Sequence, residues 1–297
     1  MTYLIARRPV VFTRNPFLTG LGTAVAMSLV APTLSARQQT QPPPQQQQQP
    51  YEPRVGMPGK DVVWVPTHPT VVERMLDMAK VTAKDFVVDL GSGDGRNVIA
   101  AARRGAKAVG FEYNPEMVEL SRKLAEDAGV SDKATFVQGD MYEAEFREAT
   151  VLALFLLPSN LEKLKDKILA LKPGSRVVLN TFTVSGWEPD ERDRLEGECG
   201  SWCDVLLHIV PAKVAGAWRG GGIALDLSQS FQKVLGTVTV GGAPVTIENG
   251  LLRGDRLMFS AGGTSYAGQV DGDRITGTST TAVSNARRTW TVTRDRR

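Results

Sequence analysis

The stretch that most constrains this chain is Phe86-Val87-Val88-Asp89-Leu90-Gly91-Ser92-Gly93-Asp94-Gly95-Arg96. An apolar, β-branched run ends in an acid, and three glycines then alternate with small polar residues. Asn97-Val98-Ile99-Ala100-Ala101-Ala102 follows with helical character. A buried strand feeding a glycine turn and a helix N-terminus is the opening unit of a doubly wound α/β sheet that binds nucleotides. Glycine admits φ > 0 and lets backbone approach a ligand, and the N–H groups of the first helical turn have no partner within the helix. The spacing is G-x-G-x-G, with Arg96 where a dinucleotide fingerprint has its third glycine, and no phosphate-loop lysine follows. These departures point away from NAD and ATP.

Two further strand ends carry acids. Ala108-Val109-Gly110-Phe111-Glu112 reads as a second strand, whose terminal carboxylate suits a ribose diol. Ala134-Thr135-Phe136-Val137-Gln138-Gly139 reads as a third, ending in Asp140 and Met141. There an aspartate can accept an adenine amino group while the thioether packs on the purine. Surface acids on ordinary strand ends are the bland alternative. Three acids on three successive strand tips, one beside the glycines, favour S-adenosylmethionine (SAM). The expected contacts are Asp89, Gly91, Ser92, Gly93, Gly95, Glu112, Asp140 and Met141.

The 297 residues have room for two domains, and 42% hydrophobic content is that of a globular chain. Residues 1–36 hold Arg7, Arg8 and Arg14 and no acid, which leaves 32 Lys+Arg against 32 Asp+Glu in the remainder. A body without net charge offers no basic face for a nucleic-acid backbone, so no nucleic-acid partner is expected. Residues 1–36 also read as a signal peptide or an N-terminal anchor. An Arg-bearing start precedes an apolar run from Phe17 to Ala31, closed by Pro32 and the small residues of Ser35-Ala36. The expected location is therefore exported or membrane-anchored, in the periplasm or cell envelope. Residues 37–54, with Pro42-Pro43-Pro44 and five consecutive glutamines, read as a disordered tether. Cys199 and Cys203 are the only cysteines, an even count that suggests a disulfide in an exported protein.

Residues 55–211 alternate strand and helix. Strands begin near Phe86, Ala108, Ala134, Thr150 and Ser175, and helices near Asn97, Pro115, Asp140 and Asn160. An earlier helix starts near Thr70, capped by Thr67 or Thr70, with Glu73 completing a capping box. Such alternation implies a parallel sheet with ligands at the strand C-terminal ends. The fourth strand runs into Phe155-Leu156-Leu157-Pro158-Ser159, the expected floor of an acceptor site. This tip lacks the Asp/Asn-Pro-Pro-aromatic turn that many amine- and base-directed methyltransferases place there. A final pair of strands, around Glu191 to Leu195 and Asp204 to Val210, would complete the sheet.

Residues 62–211 resemble class I SAM-dependent methyltransferases. More narrowly they are similar to the small lysine methyltransferases of archaea and mitochondria and to related bacterial proteins. The residues that carry this are Val65-Pro66-Thr67, Val71-Val72-Glu73-Arg74-Met75-Leu76, Asp89 through Arg96, Leu157-Pro158-Ser159 and Trp187. His68 and Trp64 stand where that group has proline and tyrosine. The resemblance implies that the Trp64–His68 segment lids the active site, and it puts Thr67 among the cofactor contacts. It also implies a protein lysine as methyl acceptor. An apolar wall of Trp64, Phe155 and Pro158, with Ser159 beside it, would favour the neutral amine by desolvation; His68 is the candidate general base.

From 212 to 297 the composition shifts to Gly, Thr, Ser and Val. Alternating runs recur at 216–219, 223–227, 235–240, 257–260, 266–270, 275–278 and 289–293, and Gly254-Asp255-Arg256-Leu257 is echoed 18 residues later by Gly272-Asp273-Arg274-Ile275. This spacing predicts an all-β domain, an antiparallel meander closed as a small barrel or sandwich. Two further functions stay open beside protein-lysine methylation: methylation of a small molecule, and an exported binding protein that keeps the fold without turnover.

Overall fold

A computed structural model describes Gly20, residues 51–197 and residues 199–295. Apart from Gly20, the expected targeting segment and the expected tether up to residue 50 lie outside these. The helices are α1 (Pro69–Met78), α2 (Arg96–Arg103), α3 (Pro115–Asp127) and α4 (Pro158–Ile168). The first sheet contains β1 (Phe86–Leu90), β2 (Lys107–Glu112), β3 (Ala134–Gln138), β4 (Val151–Leu154), β5 (Arg176–Asn180), β6 (Glu191–Arg194) and β7 (Asp204–Ile209). Its order is β3-β2-β1-β4-β5-β7-β6, with β1 to β5 parallel and the last two strands antiparallel. The order reverses between β1 and β4, which opens a crevice at their C-terminal ends.

Strand alternation divides the core into two layers. Val87, Val151, Ala153, Val178, Val205 and Leu207 pack with α1 and α2 on one face. Val88, Leu90, Leu152, Leu154, Val177, Leu179 and Leu206 pack with α4 and Trp187 on the other. Opposite the crevice, Asp85 stitches the strand starts together. It accepts from Thr82 N at 2.8 Å and Thr150 Oγ1 at 2.8 Å and pairs with Arg176. Burial pushes its carboxyl up, but those bonds outweigh it and hold the group below its ordinary range.

Two local expectations differ from the structure. The segment after Asp140 is a turn, not a helix; its apolar residues Met141, Ala144 and Phe146 fill the sheet-facing layer without a helical period. The cap of α1 is His68, whose Nδ1 lies 2.8 Å from Thr70 Oγ1 and accepts weakly from Thr70 N. Pro69 at the first helical position, which needs no N–H, moves the start there.

The C-terminal strands are β8 (Gly216–Gly220), β9 (Ile223–Ser230), β10 (Lys233–Val240), β11 (Val245–Thr246), β12 (Glu248–Arg253), β13 (Arg256–Ala261), β14 (Thr264–Asp271), β15 (Arg274–Thr281) and β16 (Arg287–Arg294). Every pairing is antiparallel, and β9–β10 closes the ring, giving an eight-stranded barrel with β11 hanging on β10. Its interior is filled by Trp218, Leu225, Leu252, Leu257, Ile275, Trp290 and their neighbours. Gly277 faces Trp290 across the ladder, and a Cβ there would meet the indole at 2.5 Å. β12 escapes the alternation because Asn249 has φ +53° and the register shifts between Glu248 and Leu251.

Barrel and sheet belong to one compact unit. Phe231 stacks on Trp187 at 5.6 Å, Gln232 Nε2 donates to Glu188 O at 2.8 Å, and Ala212 N donates to Gly254 O at 2.8 Å. Behind Trp187 lies His208, fully buried on β7, with its Nε2 2.9 Å from Thr183 Oγ1.

Burial lowers the His208 pKa from 6.5 to about 4. The unfolded chain therefore binds the extra proton first as pH falls, so this residue's contribution is complete above pH 6.5 and is lost toward pH 4. Urea unfolding should show about 3 kcal/mol less stability across that window from this group. The slope should flatten in His208→Gln, and an equal slope in the variant would refute the assignment. The barrel, closed and filled, should also unfold cooperatively as a fragment of residues 212–297, followed by near-ultraviolet circular dichroism in urea. A gradual, featureless loss of signal would show that it depends on Trp187 and the sheet.

Candidate active site

At the crevice the structure has a cavity of about 320 Å³, within the range of ligand sites. Gly91, Glu112, Asp140 and Met141 line one side, and Phe155 to Leu157 line another. Gly91, Gly93 and Gly95 have φ of +72°, +55° and +78°, the left-handed region that favours glycine. Gly91 and Ser92 donate their N–H groups to Phe111 O at 2.8 and 3.0 Å, which welds the turn to β2.

Glu112 is the hinge of the cofactor side. One carboxylate oxygen accepts from Gly93 N and the other from Asn114 N, each at 2.9 Å. A carboxylate offers about four acceptor positions, so each oxygen keeps a lone pair for a diol. Asp89 is buried and accepts from Asn97 Nδ2 at 3.1 Å. Burial above all, then the charges of Glu112 and Asp94, push its carboxyl well above the ordinary range. Asp140 accepts from Tyr142 N at 2.9 Å and pairs with Lys60, and the Lys60 bond is the main cause of its lowered pKa. An adenine amino group would share this carboxylate with Lys60. The donor set, with spare acceptors on two strand tips, fits SAM.

Several expected site residues stand elsewhere. Ser92 turns its hydroxyl into the space left by Gly110, where a Cβ would lie 2.5 Å from it. Gly93 carries the indole of Trp64 on its bare Cα, a Cβ there meeting Nε1 at 2.5 Å, and Gly95 likewise carries Phe136. Thr67 is buried and gives its carbonyl to Arg96, away from the cavity wall. Pro158 and Ser159 are exposed in the first turn of α4, and Leu157 takes their place in the wall. His68 is bound into the α1 cap and does not line the cavity, so the structure gives it no base role. Trp64 and Phe155 do line it.

Sequence reasoning missed two groups. Tyr51, expected in the tether, reaches Asn114 Nδ2 with its hydroxyl at 3.4 Å, and residues 57–65 cross the cavity as a strap. Phe182 and Trp202 face Phe155 across the acceptor end, with centroid separations of 6.2 Å for the two phenylalanines and 5.7 and 5.5 Å to the indole. Trp202 sits inside the loop closed by the Cys199–Cys203 disulfide. An aromatic residue trapped between two cysteines four apart was the available signal.

The ANTKMT methyltransferase domain model matches residues 89–191. A protein-lysine N-methyltransferase of Saccharolobus islandicus is 45% identical over 138 residues, 46% of this chain and 86% of that protein. The mouse adenine nucleotide translocase lysine N-methyltransferase is 42% identical over 139 residues, 42% of this chain and 61% of that protein. The crystal structure of an RNA methyltransferase from Salinibacter ruber, in complex with S-adenosyl-L-homocysteine, is 45% identical and covers 50% of this chain and 96% of that one, with a TM-score of 0.48. None of these matches extends over the whole chain, and the mouse protein is spanned for less than two thirds of its length. On the glycine turn, the strand-tip acids and this likeness, the chain belongs to the ANTKMT-type family of SAM-dependent methyltransferases.

Proposed function

We propose that the enzyme methylates the side-chain amine of a protein lysine, and that it does so at the cell envelope. The acceptor end of the cavity carries the first claim. Its wall is apolar and aromatic, formed by Trp64, Phe155, Leu157, Phe182 and Trp202, and the tip of β4 presents no acid or amide that could read a nucleobase. That wall suits the four-carbon stem of lysine. The names of the relatives support the same acceptor class. The Arg-bearing N-terminus and the Cys199–Cys203 bond support the second claim, because disulfides persist in oxidising compartments.

When bound, SAM supplies an electrophilic methyl on a sulfonium that is already a good leaving group. Glu112 and Asp140 are the groups placed to hold its ribose and adenine. The remaining task is alignment and exclusion of water, which fall to Trp64 over the glycine turn and to the strap of residues 57–65. An incoming ammonium must surrender its proton to water before its lone pair can attack. Only the neutral amine carries the lone pair that attacks, so turnover should rise with pH as the acceptor deprotonates.

Radiolabelled SAM incubated with the enzyme and a cell-envelope extract should label protein, and acid hydrolysis should return the label as methyl-lysine. Label in RNA or in small molecules, with none on lysine, would overturn the acceptor while leaving the methyltransferase in place.

Glu112→Ala should weaken SAM binding by about 1.5–3 kcal/mol in calorimetry, since charged acceptors to the ribose are lost. Glu112→Gln, which keeps one acceptor oxygen, should fall between. An unchanged dissociation constant in both would place the ribose elsewhere.

A further inference from the structure

Phe155, Phe182 and Trp202 come from three separate segments that the topology brings to one end of the sheet. Phe155 follows β4 directly. Phe182 follows β5 after Thr181, whose φ of +63° turns the chain. Trp202 comes two residues before β7, which runs antiparallel to β5 and so begins where β5 ends. Thr181 N donates to Asp204 O at 2.8 Å, which fastens that junction. The three rings meet beside the tip of β4, where the methyl acceptor must enter.

Burial sets Trp202 apart. Trp187, Trp218 and Trp290 are at most 4% exposed, whereas Trp202 keeps 37% of its surface open although two aromatic neighbours flank it. A large ring left open inside a cavity is placed for a ligand, since its own burial gains little there. What fixes it is covalent. Cys199 and Cys203 are both buried against the α1 layer, at 7% and 3% exposure, and Gly200 turns the short loop with φ +61°. Trp202 N donates to Cys199 O at 3.2 Å. With both ends of the loop anchored in the core, the backbone that carries the indole is fixed beside Phe155 and Phe182.

We infer that Phe155, Phe182 and Trp202 form an acceptor-reading collar for an alkylammonium group, with the Cys199–Cys203 bond as the clamp that holds Trp202 in it. This deepens the lysine reading, since it takes the acceptor to be a cation when it docks and again when it leaves. Aromatic faces are electronegative and attract ammonium groups, most strongly for indole. In each transfer the ammonium first gives one proton to water, the neutral amine then takes the methyl as the C–S bond breaks, and the charge passes from sulfur to nitrogen, so the product leaves directly as a broader and less hydrated cation. Ring faces suit that product at least as well as the unmethylated ammonium, which would let one acceptor be methylated repeatedly.

The test uses the full chain saturated with S-adenosyl-L-homocysteine, and two probes of one shape. Choline carries a trimethylammonium, and 3,3-dimethylbutan-1-ol carries an uncharged tert-butyl group in its place. Fluorescence and calorimetric titration should show choline binding at least about fivefold tighter than the alcohol. Trp202→Leu should bring the ratio close to one, and Trp202→Phe should keep part of it. Both should leave the affinity for S-adenosyl-L-homocysteine within about twofold, as a merely destabilised fold would not. Cys199→Ala/Cys203→Ala should behave as Trp202→Leu does. Equal binding of the two probes to the unmodified chain, no choline binding, or discrimination that survives Trp202→Leu would overturn the collar. Discrimination that survives the paired cysteine change would overturn the clamp. Failure of the lysine reading shows instead as label on another acceptor, so the two outcomes are told apart.

Discussion

The site depends on three missing Cβ atoms. Gly93 accepts the Trp64 indole, Gly95 accepts Phe136, and Gly110 accepts the Ser92 side chain, in each case at a distance where a Cβ would collide. These contacts flatten the turn after β1 onto β2, bring Gly93 N within reach of Glu112, and start α2 at Gly95. The glycines are usually read as room for a ligand. Here they chiefly make room for the protein itself, and the ligand site is what remains between the flattened turn and the tips of β2, β3 and β4.

The opposite end of the sheet is held by a different force. Asp85 gathers bonds from the loop before β1, from the start of β4 and from the start of β5, where Arg176 also donates to Ala79 O at 2.6 Å. A carboxylate with that many partners is well compensated for its burial. Strand starts are thereby locked while strand ends stay open, so the crevice can carry exposed apolar rings without loss of register.

What could be read from residues alone follows from how local each signal is. The unit from Phe86 to Ala102 and most of the barrel strands are sequence-contiguous patterns and stand as read, and Glu112 and Asp140 fall at the cavity. The helix after Asp140 was misread because an apolar spacing can fill a layer as a turn. His68 was offered as a base on residue type, yet Pro69 made it the cap, with Nδ1 turned to Thr70 and the residue off the cavity wall. β12 was unread because a left-handed asparagine breaks its alternation. The strap ahead of Trp64, and the meeting of Phe182 and Trp202 with Phe155, were out of reach for another reason: their partners are distant in sequence, and only the strand order makes them neighbours.

That order also explains why the disulfide sits where it does. β6 and β7 form an antiparallel hairpin in which Arg194 pairs with Asp204, and β7 begins where β5 ends, so the loop that joins them lies at the ligand end of the sheet. A hairpin loop beside an open crevice is among the least constrained parts of such a fold. The Cys199–Cys203 bond closes part of it around Gly200, Ser201 and Trp202 and restricts the backbone there. The same bond would be short-lived in a reducing cytosol, whereas SAM is made there. A disulfide in the wall of the cavity thus ties the shape of that wall to the redox state around it.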